Sequence, residues 1–454
     1  MKELLASLKE IVCNDESLRY YQFDNKLKIY SEWSTCDSVM LQMPTGTGKT
    51  RLFVSIINDI LLCRKHNGII PNVLLLVHRK ELVIQIAETL TAYGLDYGII
   101  QSGTAEKTAC HIQVASVQSL VRRLDRWEKV RFDFIIIDEA HHAPAKTYLW
   151  ILDTFPGVKL LGVTATPYRK DGWGFAHIFD KLIVSPEPIE FIRSGFLSNY
   201  DYYSVPSQSP VIQGINSVPI ENCDFAEDPL IHLLDCGSIR AQVVDSYIKY
   251  GYGKKAIVFT INKEHNHHLC EEYKKKGINA ATIDSDTPPC ERKRIINAFR
   301  VGNIQVLLNV NLFTEGFDCP DVEVIQLARP TLSIAMYLQQ VGRGLRTSPN
   351  KTKSLFIDNV GLYLFFGLPS DHRSWDKYWD STPMDLFQKL ASRVQRSPKD
   401  TCKIKEGYEE VQLIYSTAPK IVVEKPFTTS DSRQKDNEKL ASILLLDLYL
   451  QHWT

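Results

Sequence analysis

Apolar residues along the chain fall into two series of short runs, with stretches of helical periodicity between them. The first series is Ser38–Gln42 (SVMLQ), Asn72–Val77 (NVLLLV), His111–Ala115 (HIQVA), Phe132–Ile137 (FDFIII in its body) and Lys159–Val163 (KLLGV). Short runs that are apolar at successive positions suit strands covered on both faces of a parallel sheet. Lys80–Tyr93 carries a helical repeat between two of them. The second series is Lys255–Phe259, Ala280–Ile283, Gln305–Asn309 and Val322–Leu327, with helical patterns over Lys263–Lys276 and Pro288–Phe299. Alternation of this kind predicts a doubly wound α/β unit, here twice over. From Tyr168 to about Asp235 the pattern is irregular and rich in Pro, Ser and aromatic residues. That stretch is expected to hold the last strands of the first unit and a connector. The expected organisation is residues 1–205 as the first unit, 206–236 as connector, 237–367 as the second unit and 368–454 as an accessory region. Within the last, Leu440–Trp453 reads as an apolar helix that needs a surface or a partner.

Composition narrows the class. The chain has 454 residues, 44% of them hydrophobic and 23% charged, ordinary values for a globular protein. Lys plus Arg number 53 and Asp plus Glu number 53, so the net charge is zero. That excludes a histone-like polycation, while a local basic groove remains possible. No apolar stretch is long enough for a membrane span, and the amphipathic pattern of Met1–Ser17 lacks the form of a signal peptide. The ten cysteines are scattered without a CxxC pair, which fits reduced thiols in a cytoplasm. His265, His267 and His268 lack further ligands nearby and read as a solvated helix face.

Candidate chemistry is concentrated at three places. Met43–Thr50 (MPTGTGKT) follows a strand pattern and opens a helix. Glycines at Gly46 and Gly48 let backbone N–H groups wrap phosphates, with Thr45 and Thr47 in the same loop, and the helix N-terminus adds a favourable dipole. Lys49 is placed to reach the β- and γ-phosphates and Thr50 to ligate Mg²⁺. Asp138-Glu139-Ala140-His141 ends the apolar run before it. A carboxylate there, Asp138, can hold Mg²⁺ through water, and Glu139 can polarise an attacking water. Gln339–Arg346 (QQVGRGLR) sets Arg343 and Arg346 three apart on one helix face, where they can neutralise transition-state charge.

Taken together and in order, these segments resemble the superfamily 2 helicases from about Arg19 to about Gly367. Arg19-Tyr20-Tyr21-Gln22 resembles the adenine-sensing motif, MPTGTGKT motif I, His78–Gln85 motif Ia, Ala115–Leu120 motif Ib and DEAH motif II. Thr164–Arg169 resembles motif III, Val258–His265 motif IV, Thr314–Pro320 motif V and Gln339–Arg346 motif VI. The resemblance implies two tandem RecA-like P-loop domains, parallel sheets with flanking helices, plus a small C-terminal region. It also implies ATP as the nucleotide and Mg²⁺ as its ion. Carried over residue by residue, Arg19 and Gln22 would meet the adenine, and Gly316 and Asp318 the ribose and γ-phosphate side. Gln339 would lie near the γ-phosphate, and His141, Thr164 and Thr166 would couple nucleotide state to movement. Arg79, Ser116, Gln118, Thr260 and Thr314 would contact nucleic-acid phosphates.

Within the superfamily, the runs DFIIIDEAHHAPAKTY and LLGVTATPYRKDG are similar to the XPB-like and RadD-like DNA branch and to restriction-enzyme motor subunits. They depart from the DEAD-box RNA helicases, which carry Ser-Ala-Thr in motif III. RadD-like proteins add a cysteine-rich zinc module at the C-terminus, and this chain has only Cys402 there. The expected activity is ATP-driven movement along nucleic acid or strand separation, on DNA in repair, recombination or genome defence. The alternatives are a translocating subunit of a larger complex, an RNA helicase, and a binding scaffold without catalysis.

Overall fold

The computed structural model describes residues 15–62, 70–169, 171–313, 317–382 and 411–417. Two seven-stranded sheets organise it. The first has the order β3-β4-β2-β5-β6-β1-β7 and every pairing is parallel. Its strands are β1 (Ser38–Gln42), β2 (Val73–Val77), β3 (Gly98–Ile100), β4 (Ile112–Ser116), β5 (Phe134–Asp138), β6 (Lys159–Thr164) and β7 (Lys181–Val184). Around it lie α1 (Tyr20–Trp33), α2 (Lys49–Leu62), α3 (Lys80–Ala92) and α4 (Lys146–Thr154). Alternate residues of each run feed opposite faces, as a pleated strand requires. Val73, Leu75 and Val77 enter one apolar cluster, and Leu74 and Leu76 the other. That two-sided burial explains why these strands read as continuous apolar runs.

The second sheet has the order β12-β13-β11-β14-β15-β8-β16. It contains β8 (Tyr200–Ser204), β11 (Ala256–Phe259), β12 (Ala280–Ile283), β13 (Val306–Asn309), β14 (Val324–Leu327), β15 (Ser354–Asp358) and β16 (Gln412–Ser416). All neighbours pair in parallel except β16, which runs antiparallel to β8. Its helices are α5 (Gly237–Gly251), α6 (Lys263–Lys275), α7 (Pro289–Arg300), α8 (Ile334–Gly344) and α9 (Leu362–Phe366). A two-stranded hairpin, β9 (Ile220–Glu221) and β10 (Asp224–Phe225), lies in the segment between the lobes.

The structure moves two sequence-based boundaries. Residues 200–204 were expected in the first unit, but β8 pairs with β15 of the second sheet. Tyr202 carries the reason: it is fully buried there and its hydroxyl donates to Asp358 Oδ2 at 3.0 Å. The second sheet also reaches past 367, to β16. His265 is the other correction, because it is 1% exposed while His267 and His268 are exposed. Its Nδ1 faces the Ile261 N–H at 3.4 Å, so it belongs to the core, not to a solvated face. Leu440–Trp453 and most of Met1–Ser17 lie outside the described residues, among which no helix is long and apolar enough to cross a membrane.

Candidate nucleotide site between the lobes

β1 is central enough in the first sheet to be buried along most of its length, so its C-terminal end can support a loop without solvent competition. The chain then turns through Met43–Gly48 into α2. Gly46 and Gly48 have φ of 87° and 85°, a region that residues with a Cβ rarely occupy. A Cβ on Gly48 would also lie 2.5 Å from Gln22 Nε2, so the Gln22 amide would have to leave its place on the loop.

α1 braces this loop from behind. The Tyr21 hydroxyl donates to Thr47 O at 2.8 Å, and Arg19 Nη1 donates to that hydroxyl at 2.9 Å. Gln22 Nε2 donates to Gly48 O at 2.9 Å while its Oε1 accepts the Arg19 N–H. Gln22 therefore holds the phosphate loop in this structure. Arg19 is exposed, with its guanidinium 5.0 Å from the centre of the Phe196 ring. Thr47 is buried, and its hydroxyl donates to Pro44 O at 2.7 Å inside the loop.

Lys49 Nζ donates to Met43 O at 3.2 Å, turned onto its own loop. Desolvation by the crowded wall lowers the Lys49 ammonium below its ordinary value, and the Glu139 and Asp138 carboxylates oppose that shift. Both carboxylates come from the end of β5. Asp138 Oδ1 accepts the Glu139 N–H at 3.0 Å, and Glu139 adopts a left-handed φ of 50° that turns the chain sharply after the strand. His141 Nδ1 lies 3.4 Å from Glu139 Oε2 and 3.1 Å from Thr164 Oγ1. Thr164 Oγ1 accepts the Thr166 N–H at 3.1 Å. A continuous polar chain thus runs from Glu139 through His141 to the end of β6.

The second lobe supplies the opposite wall. Arg343 and Arg346, at and just past the end of α8, both donate through Nη1 to Phe317 O, at 3.0 and 2.9 Å. Arg346 also pairs with Asp318. A cleft of about 1000 Å³ is lined by Thr45, Gly46, Gly48, Lys49, Thr50, Asp138 and Glu139 on one side, and by Asp318, Arg343 and Arg346 on the other. The approach is close: a Cβ on Gly46 would stand 3.3 Å from Arg346 Cγ, and one on Gly342 2.7 Å from Thr45 Cβ.

The remaining expected residues divide. Gln339 is buried in α8 and is absent from the described residues lining the cleft. Arg79 reaches across to the second lobe, donating to Leu312 O at 3.2 Å and Asn311 O at 3.4 Å. Gln118 is exposed. Ser116 is 2% exposed and its hydroxyl donates to Ser119 Oγ, and Thr260 is 1% exposed with its hydroxyl given to Asn266 Oδ1 and Asn309 O. These two hydroxyls are occupied inside their lobes, so the structure does not present them to a strand. Thr314 and Gly316 lie outside the described residues. Sequence reasoning missed Tyr21, Phe196 and the Phe317 carbonyl. Tyr21 lay within a quoted motif, whereas Phe196 and a backbone acceptor give no local signal.

Comparison with known proteins follows the same division. Residues 15–169 match the family described as type III restriction enzyme, res subunit, and residues 240–348 match the helicase conserved C-terminal domain. A 51.5 kDa protein of a Lactococcus phage is 35% identical over 79% of this chain and 74% of its own length. IRC3 of Saccharomyces cerevisiae, provisionally named an ATP-dependent helicase, is 33% identical over 76% of this chain. The match spans 52% of that yeast protein, about half of it. Among solved structures, a fragment assigned as the HsdR subunit of a type I restriction enzyme from Vibrio vulnificus has a TM-score of 0.63 at 22% identity. That alignment covers 81% of this chain and 68% of the fragment, and at this identity it speaks for the fold.

Proposed function

Because the chain belongs to the superfamily 2 helicases, we propose that it is an ATP-driven motor whose two lobes close on a triphosphate and shift their grip on nucleic acid, DNA in preference to RNA. The single observation that carries this is the shared cleft, where Lys49, Asp138 and Glu139 face Arg343 and Arg346. In that arrangement the phosphate-loop N–H groups and Lys49 bind the β- and γ-phosphates. Glu139 orients and deprotonates the attacking water, and His141 holds Glu139 against Thr164. Arg343 and Arg346 stabilise the charge that develops on the transferring phosphoryl group. Thr45 and the Gln22 amide keep the loop in register with α8 and α1.

The donor set fits magnesium. Thr50 and Asp138 offer hydroxyl and carboxylate oxygens on one wall of the cleft. Among the described residues no group of three or more His, Cys, Asp or Glu is placed to hold a metal alone. An ion held by few protein oxygens, and otherwise by phosphate and water, is the usual magnesium arrangement. Bound there, it would neutralise phosphate charge.

Nucleic-acid contact would run across the lobes near Arg79 and Gln118, through phosphates more than base edges. The preference for DNA rests on the first lobe's match to restriction-enzyme subunits. That match also favours a second reading, translocation on duplex without strand separation as part of a larger complex. ATP turnover measured with single-stranded DNA, duplex DNA and RNA tests the proposal. Stimulation by DNA above RNA is expected, and turnover indifferent to all three contradicts it. Strand displacement beside triplex displacement separates unwinding from duplex translocation.

A further inference from the structure

After α9 the chain leaves the second lobe, turns, and docks on the first. The turn is built around Arg373, whose guanidinium donates to the carbonyls of Phe366, Leu368, Pro369 and Asp371 at 2.7 to 3.3 Å. Just before it, His372 Nδ1 meets Glu187 Oε1 at 2.7 Å. The chain then pairs with the loop that follows Thr164–Arg169. Trp379 O accepts the N–H of Phe175 at 2.8 Å and of Ala176 at 3.3 Å, and Ser381 O accepts that of Gly174 at 2.9 Å. Ser381 Oγ returns a bond to Gly172 O at 3.0 Å. These are ladder-like bonds, and they satisfy backbone groups on both segments.

The apolar contacts of this strap involve both lobes at once. Tyr168 and Trp375, 4% and 5% exposed, form one cluster with Ile334 and Ala335 of α8, and Tyr378 and Leu338 pack against it. The Tyr168 and Tyr378 rings meet edge to face at 5.2 Å. Tyr168 follows Thr166 by two residues and its N–H donates to Thr166 O at 2.8 Å. α8 is the helix that presents Arg343.

From these contacts we propose that residues 372–381 are a positioning strap: Trp375 and Tyr378 set the spacing between the Thr164–Tyr168 segment and α8, and so the reach of Arg343 and Arg346 towards Lys49. The inference rests on the ATPase reading above for its catalytic consequence. The strap itself touches neither nucleotide nor reacting atoms. Its action is on geometry: a helix tied at Ile334 and Ala335 to the segment that ends at Tyr168 cannot recede from the phosphate loop without breaking the cluster.

Gly174 offers a selective test. A Cβ there would lie 2.1 Å from Trp379 O and 2.7 Å from Trp379 C, backbone atoms that cannot rotate aside. Gly174→Ala should therefore dislodge the strap, and Tyr378→Ala should loosen it from the other side. Both variants should lower nucleic-acid-stimulated kcat about ten- to hundredfold, as misplaced catalytic groups do, while ATP affinity stays within about twofold because the phosphate loop is untouched. Tyr378→Phe keeps the ring contact and should retain wild-type kcat. X-ray scattering should give a larger radius of gyration for Gly174→Ala and Tyr378→Ala than for the parent. Unchanged kcat together with unchanged scattering overturns the strap, as does loss of ATP affinity in step with kcat in a variant that still melts cooperatively. Should the parent hydrolyse no ATP, the ATPase reading fails, and the scattering comparison alone decides on the strap.

Discussion

Lys49 occupies a place where its charge is expensive to keep. Its ammonium is desolvated and turned onto Met43 O, with two carboxylates near enough to keep it partly favoured. A triphosphate would restore the counter-charge that the wall withholds. Lys49→Ala should accordingly abolish ATP hydrolysis, and a variant that still turns over ATP in the presence of DNA contradicts the site. His265 makes a different statement, about pH. Burial lowers its pKa from 6.5 to about 4, with Asp235 opposing and Arg240 and His268 assisting. The folded state binds that proton less well than the unfolded chain does. Stability is therefore unaffected by His265 well above pH 6.5, falls as pH drops from there towards 4, and levels below it. Between pH 7 and pH 5 the loss from this residue is on the order of 2 kcal/mol. Urea denaturation at the two values should show a smaller acid loss in His265→Gln, and equal losses would remove His265 as the cause.

Three elements line the candidate site, and each was legible to a different degree. The loop between β1 and α2 was plain, because glycine, lysine and threonine at fixed spacing after an apolar run have few other uses. Its backbone demand can be tested directly. An alanine at Gly48 meets both a left-handed φ of 85° and the Gln22 amide. Strain on the order of 1–2 kcal/mol should weaken ATP binding about tenfold in Gly48→Ala, read by titration. The end of β5 was legible for a similar reason, four successive apolar positions closing on Asp138. α8 gave its arginines away through their three-residue spacing in QQVGRGLR and the motif it resembles, but not their anchor, since Phe317 contributes only a carbonyl. β8 was assigned to the wrong sheet because YDYYS shows which residues want burial and says nothing of which sheet edge accepts them. β16 lies beyond a long interval of chain and could not be placed by local pattern at all. Ser116 and Thr260 were expected at a strand-binding surface from motif position alone, and tertiary packing put both hydroxyls inside.

At the scale of the whole molecule the two sheets serve as supports, and the proposed chemistry lies in the cleft between them. Each lobe carries half of the candidate site, so hydrolysis there would depend on how closely the lobes approach. Arg79 bonds to backbone carbonyls of the second lobe at the face where nucleic acid would pass. A strand gripped there by phosphate contacts would make stimulation of turnover fall steeply with salt. The half-maximal DNA concentration should rise several-fold between 50 and 200 mM salt, and a salt-independent value would point to base contacts instead. The division of labour between lobes is tested most directly by steady-state ATP turnover of Arg346→Ala in saturating DNA, set beside its equilibrium affinity for ATP. Turnover about a thousandfold below the parent with affinity nearly unchanged is the expected result. An affinity that falls as far as turnover, or turnover that does not fall, would contradict a triphosphate held by one lobe and completed by the other.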